Sequence, residues 1–246
     1  MTVIFHGAII GGFSATGVTF DGTNDYLRNG TELTGLVDGK VGTVSFWMKT
    51  APGQDGTTAI ILQNGTDAAD FRMRLHYIVD KVTIACADSG GVNAITIAEN
   101  TVTATDNAWH HYMVAWDAAN AAPNLLYVDG AANTGTVTRS DRVIDYTRGE
   151  WGLGARHGDG ALKLSADMAE FWFTTELLDI SDAAVRAKFA KNGKPVGLGS
   201  NGSKPTGSAP MIYLRGGAAN WGTNYAGTGD FTVVGAFADS ATKPSY

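Results

Sequence analysis

The stretch Trp109–Gly130, WHHYMVAWDAANAAPNLLYVDG, decides the fold. Side chains alternate across a β-strand, so Trp109, His111, Met113 and Ala115 take one face and His110, Tyr112, Val114 and Trp116 the other. Large residues on both faces place this strand deep within a sheet. A run of small residues with Pro123 and Asn124 follows. A second short strand, Leu125–Val128, then ends on Asp129-Gly130, a pair that reads as a hairpin turn.

Outward from this hairpin the pattern repeats. Gly17–Leu27 (GVTFDGTNDYL) reads as a strand, a turn through Asp21-Gly22-Thr23-Asn24, and a strand. Val44–Thr50, Ala59–Gln63, Phe71–Tyr77, Lys81–Ala87 and Ala94–Ala98 are further strands separated by turn residues, and Glu150–Arg156, Leu162–Ser165 and Met168–Phe173 continue the series. Short strands at this regular spacing signal a sandwich or a barrel. One helix is expected, with Ser181 as its cap, Asp182 in the first turn, Val185 and Phe189 on one face, Lys188 and Lys191 in the last turn, and Asn192-Gly193 as its stop. Residues 194–210 are rich in Gly, Ser, Pro and Lys and read as a surface loop. Met211–Leu214 and Asp230–Val234 read as two more strands.

Composition agrees. Apolar residues make up 44% and charged residues 17%, with 32 Gly against 6 Pro, a balance that suits many strands and tight turns. A net charge of −6 without any Lys/Arg run offers no footprint for nucleic acid. Cys86 is the sole cysteine, set in an alternating strand, and reads as a buried inert thiol. The apolar N-terminal stretch MTVIFHGAIIGGFSATG lacks a basic start and is interrupted by His6, and no run approaches the ~20 apolar residues of a membrane span. The expectation is a protein made and folded in the bacterial cytoplasm, without membrane insertion. The Asn-Gly-Thr/Ser triplets at Asn29, Asn64 and Asn201 are then turn residues rather than glycan acceptors.

The order of these motifs resembles the laminin-G-like branch of the concanavalin A-like lectin/glucanase jelly rolls. The resemblance is carried by Val18–Leu27, Val44–Met48, Trp109–Trp116, Leu126–Gly130 and Met168–Phe173, with Leu177–Ile180 and the helix after it. It implies an all-β, concanavalin A-like jelly-roll sandwich of two antiparallel sheets over residues 1–193, with one short helix, followed by a C-terminal β extension over 194–246. The tail, PMIYLRGGAANWGTNYAGTGDFTVVGAF, is similar to the ends of laminin-G-like proteins encoded by tailed bacteriophages and prophages.

Several constellations bear on chemistry. A jelly-roll glucanase needs two carboxylates on one face of a strand. Asp167 and Glu170 are three apart, an odd spacing that puts them on opposite faces of a regular strand, so no catalytic residues are assigned. His110 and His111 are adjacent and face opposite ways, so they cannot chelate one metal together. Gly152–Gly158 lacks the spacing of a dinucleotide loop and reads as an Arg156/His157 loop at a strand end. Asp21, Asn24 and Asp25 group oxygen ligands in one turn and form a candidate Ca²⁺ site, a reading the resemblance strengthens, although the favoured reading is that Asp21 and Asn24 simply make the turn through side-chain-to-backbone hydrogen bonds. Aromatic rings stack on sugars, and the carbohydrate-binding candidates are Trp221, Tyr225, Trp151, Arg156 and His157, with Tyr146 beside them. Trp151 reads as a packing residue, and Trp221 and Tyr225, set among Gly and Asn, as exposed anchors.

The function expected from this reading is a non-enzymatic virion protein of a tailed phage, displayed on tail or capsid. It would bind other virion proteins and itself as a homo-oligomer, and reach cell-surface glycans through its lectin-like domain. The alternative is a bacterial carbohydrate-binding module or an inactive glycosidase-like domain. The apolar residues of the tail, from Met211 to Phe237, point to assembly as its role.

Overall fold

The computed structural model describes residues 13–52, 56–66, 71–78, 80–103, 106–121 and 123–246. The strand His110–Asp117 forms as its alternation predicts, paired on one side with Val41–Thr50 and on the other with Leu125–Val128. Tyr112, Val114 and Trp116 enter the main core, whereas Met113 and Ala115 join a second apolar cluster on the opposite face. Asp129 and Gly130 both adopt positive φ, 53° and 77°, as the tight turn after Val128 requires.

Among the described residues two eight-stranded antiparallel sheets stack face to face. Sheet I runs Ala131–Ala132, Leu125–Val128, His110–Asp117, Val41–Thr50, Ser165–Thr174, Val18–Asp21, Ala238–Asp239, with Ile212–Leu214 also paired to Ser165–Thr174. Sheet II runs Thr134–Arg139, Asn93–Glu99, Lys81–Ala87, Phe71–Ile78, Thr58–Gly65, Trp151–Leu153, Tyr26–Asn29, Thr232–Val234. Their inner faces enclose one core in which Phe46 stacks on Tyr112 and Trp116 on Phe173. Cys86 lies wholly inside it, and burial pushes its thiol pKa far above the ordinary value, which keeps it inert.

Val18–Asp21 and Tyr26–Asn29 form as read, one strand on each side of the Asp21 turn, but they do not pair with each other. The first lies in sheet I and the second in sheet II, so the turn between them carries the chain across the sandwich. The helix is only Ala183–Arg186, capped by Asp182 rather than Ser181, with the Asp182 carboxylate accepting from Ala184 N at 2.8 Å. Asn192-Gly193 does not stop it; both residues have positive φ and turn the small hairpin of Ala190–Lys191 and Lys194–Pro195.

The tail also differs from expectation. Met211–Leu214 and Asp230–Val234 do contain strands, but these strands complete the sandwich. Ile212–Leu214 pairs with Phe171–Phe173, Thr232–Val234 with Tyr26–Arg28, and Ala238–Asp239 with Val18–Thr19. Trp221 and Phe231 are core residues, and Phe20 meets the Trp221 ring edge-on at 5.9 Å. Of the apolar side chains expected to mark an assembly surface, Ile212, Tyr213, Leu214, Trp221 and Phe231 are buried inside the chain's own fold, while Val233 stays exposed.

Candidate functional site

The outer faces of the two sheets differ in chemistry. On sheet I, Met113, Ala115, Trp172 and Tyr213 are covered by Ile180, Phe189 and Leu198, with Leu177, Val185 and Tyr225 against them. That face is roofed. Sheet II instead turns a polar face outward, because its strands alternate apolar residues inward with polar residues outward. In Phe71–Ile78 (FRMRLHYI), Met73, Leu75 and Tyr77 enter the core while Arg72, Arg74 and His76 point away from it.

Register lines these outward residues up. Thr232, Arg28, Gly152, Gln63, Arg74, Ala85, Thr96 and Thr138 sit opposite one another across the eight strands. Arg74 Nε donates to Gln63 Oε1 at 2.9 Å, which fixes the plane of the guanidinium. His76 and Thr83 form the adjacent pair along the same strands. Burial, aided by the positive charge of Arg74, lowers the His76 pKa to about 4, so the imidazole is neutral at pH 7.

Gly152 is the low point of this row. A Cβ there would lie 2.5 Å from Ala155 O and 2.8 Å from His157 N, so the loop after it folds back over the sheet only because residue 152 has no side chain. That loop carries Arg156 and His157, and the structure therefore brings these two predicted residues to the edge of the polar row. Arg156 is paired with Asp159 at 2.6 Å, and Gly158 N bonds to Thr66 O at 3.2 Å. Burial lowers the His157 pKa, against Glu150 and with Arg28. The Nδ1 of His157 and the Nε of Arg156 are buried without a hydrogen-bond partner. Gln63, His76 and Thr83 are buried, so the face presents the guanidinium groups of Arg28 and Arg74 and the hydroxyls of Thr96 and Thr138, a set able to make hydrogen bonds to sugar hydroxyls.

The remaining predicted residues lie elsewhere. Trp151 is fully buried against Phe173, as a packing residue should be. Tyr146 is a core residue whose hydroxyl accepts from Trp116 Nε1 at 2.7 Å. Trp221 has no exposed surface, and Tyr225 sits in the roof of sheet I with the Arg215 guanidinium 4.4 Å above its ring. Neither is an exposed anchor, because strands distant in sequence supply the apolar surroundings that their own loop lacks.

Asp21, Asn24 and Asp25 do not fit a shared Ca²⁺. Asp21 Oδ1 accepts from the backbone N of Thr23, Asn24 and Asp25 at 2.7, 2.9 and 3.2 Å, which is the turn itself. Asp25 Oδ1 is turned inward to Ala236 N at 2.8 Å, so the two carboxylates serve different partners. Ca²⁺ needs about six to eight convergent oxygens. Among the described residues no group of three or more His, Cys, Asp or Glu side chains is placed to hold a metal.

The carboxylates Asp167 and Glu170 also differ from expectation. A bulge between Ala169 and Trp172 inserts one residue into the strand and shifts its phase. Asp167 bonds to Thr19 Oγ1 and Glu170 to the hydroxyl of Tyr213, a residue of the roofed cluster, so both lie on the outer face of sheet I. Glu170 is nonetheless sealed, 4% exposed. Arg28, Gln63, Arg74, His76 and Thr96 were absent from the sequence candidates, although the alternation in FRMRLHYI signals the outward polar set.

Comparison with solved structures supports the architecture. A heptameric SAP-like pentraxin from Limulus polyphemus matches over 95% of this chain and 96% of its own, with TM-score 0.58 and 14% identity. A Bacteroides ovatus protein whose name assigns it to carbohydrate binding matches over 94% of this chain with TM-score 0.62 and 12% identity, and this chain spans 62% of its length. The binding domain of Paraclostridial Mosquitocidal Protein 1 matches over 74% of this chain and 48% of its own, with TM-score 0.50 and 14% identity. No curated protein matches the sequence. Residues 21–184, two thirds of the chain, match the laminin-G-like model of the concanavalin A-like lectin/glucanases superfamily, and the chain belongs to that family.

Proposed function

We propose that the protein is a non-enzymatic lectin-like sandwich that binds glycan across the outer face of sheet II. The observation that carries this reading is the polar row of exposed Arg28 and half-buried Arg74 and Thr96, with the buried Gln63 amide holding Arg74 in place, set beside a sheet I whose outer face is roofed. The name of the Bacteroides ovatus neighbour, with its carbohydrate-binding assignment, supports the ligand class. Burial of Glu170 beneath Tyr213 supports binding without hydrolysis. Thr96 is half-buried within this row, so Thr96→Trp together with Arg28→Ala should lower affinity for the best ligand on a glycan array by about tenfold or more. A full chain that binds no glycan, or a double variant that binds as well as the parent, overturns the reading.

The narrower reading is attachment within a tailed-phage virion, on tail or capsid, after synthesis in the host cytoplasm. It rests on the similarity of residues 210–237 to phage-encoded tails, and the heptameric state in the pentraxin's name supports a homo-oligomer. Detection of the chain in banded phage particles tests it. Absence from particles overturns the virion reading and leaves glycan binding intact.

A further inference from the structure

Residues Ser240–Tyr246 cross the outer face of sheet I as a strap. Its backbone is held at Ser240 N to Gly17 O, 2.9 Å, and at Tyr246 N to Gly193 O, 3.0 Å, while Ala241, Thr242, Lys243, Ser245 and Tyr246 are exposed. Side chains make the other attachments. Ser240 Oγ donates to Asp167 Oδ2 at 2.7 Å. Thr242 Oγ1 accepts from Trp109 Nε1 at 2.9 Å and from Lys49 Nζ at 3.1 Å. The Tyr246 ring stacks on Trp47 with centroids 5.5 Å apart and planes inclined by 26°.

Open space adjoins the strap at both ends. A cleft of about 220 Å³ includes Lys49 and Asp167, the residues bound by Thr242 and Ser240. A second of about 440 Å³ runs along Lys243–Ser245 beside Phe13 and Lys194. Segments with few backbone bonds and high exposure open at low free energy.

Beneath the strap lie an indole face, an indole N–H, an ammonium and a carboxylate. An indole stacks against the apolar face of a pyranose, and the other groups bond its hydroxyls. The strap meets them with groups of the kind a sugar offers: the Ser240 and Thr242 hydroxyls and the Tyr246 ring. Lys49 and Asp167 lie 3.4 Å apart and compensate each other, so the patch suits an uncharged sugar. We propose that Trp47, Trp109, Lys49 and Asp167 form a second glycan site, for a pyranose of a neutral oligosaccharide, and that Ser240, Thr242 and Tyr246 occupy it when no ligand is bound. Apparent affinity is then reduced by the fraction of molecules in which the strap is lifted.

The test uses the full chain, titrated with cellohexaose and mannohexaose and read on a neutral-glycan array and by tryptophan fluorescence. Tyr246→Ala should bind at least one neutral oligosaccharide about tenfold more tightly than the parent, with altered tryptophan emission. Adding Lys49→Ala should cancel the gain, and adding Thr96→Trp on sheet II should not. Thr242→Ala provides a second release of the strap should Tyr246→Ala lower the melting temperature. Neutral-glycan binding that is unchanged in both release variants, or a gain that survives Lys49→Ala, overturns the proposal.

Discussion

Tyr213 donates its hydroxyl to Glu170 Oε2 at 2.7 Å, across the bulge that holds Glu170 at φ 49°. Two strands remote in sequence thus share a buried polar contact on the outer face of sheet I. Burial pushes the Glu170 carboxyl up to about 7, although the Tyr213 hydroxyl and the Arg215 charge favour its ionised form. A carboxyl that holds its proton more tightly when folded favours the fold below its unfolded value of 4.5, and that contribution is lost as pH rises through about 7. The loss is on the order of 3 kcal/mol. Glu170→Gln keeps an acceptor for Tyr213 and removes the titration. Its melting temperature relative to the parent should therefore rise between pH 5 and 7.5; parallel curves would show that Glu170 is ionised throughout.

A second titration lies higher. His110 Nδ1 faces Asp129 Oδ2 at 2.6 Å, and its Nε2 faces both Asp106 oxygens at 3.1 Å. The Asp129 hydrogen bond, opposed by partial burial and helped by both carboxylate charges, raises its pKa to about 9. The folded value is above the unfolded 6.5, so the stabilisation is complete below pH 6.5 and disappears as pH passes about 9. Water screens this pair, and a contribution of about 1 kcal/mol is expected. Denaturant midpoints at pH 6 and 9.5 should differ more in the parent than in His110→Gln, and the difference that remains in His110→Gln should shrink further when Glu170→Gln is added.

What the sequence reveals of this fold depends on how local the cause is. The strand His110–Asp117 is legible because its own alternation names both of the clusters it touches. The bulge at Glu170 is not, since it is a mismatch in count between Ser165–Thr174 and Val41–Thr50, visible only once they pair. The fate of the tail is illegible for a related reason. Asn29 Nδ2 donates to Asp230 O across 201 positions, and nothing near Asp230 announces that partner. In sheet II the outward set Arg72, Arg74 and His76 could be read from one strand, but its alignment with Arg28 and Thr96 follows from registers that single-strand patterns do not fix.

The Asp21 turn predicts a result with chelator. Burial alone would raise the Asp21 carboxyl, but the amides of Asn24, Thr23 and Asp25 outweigh it and hold its pKa below the ordinary value. These amides, rather than a cation, are its partners. Excess chelator should leave the melting temperature of the full chain unchanged, while Asp21→Ala should cost about 1 kcal/mol with or without chelator, as loss of a side-chain cap on backbone amides does. A chelator-sensitive parent and an insensitive variant would restore the metal reading.

Trp221 separates a tail that completes the sandwich from one that serves assembly. Its ring is fully buried in the main core, edge-on to Phe20, and its Nε1 donates to Gly216 O at 2.8 Å. Trp221→Ala would leave a large cavity and an unpaired carbonyl, at a cost of about 3–5 kcal/mol. For a chain of this size that corresponds to a fall in melting temperature of roughly 10 °C. The fall should be independent of protein concentration, because the lost contacts lie within one chain; an interface residue would instead give a loss that grows on dilution. Thermal unfolding of parent and variant across a hundredfold concentration range decides between them. A variant that melts with the parent at every concentration would return Trp221 to the surface.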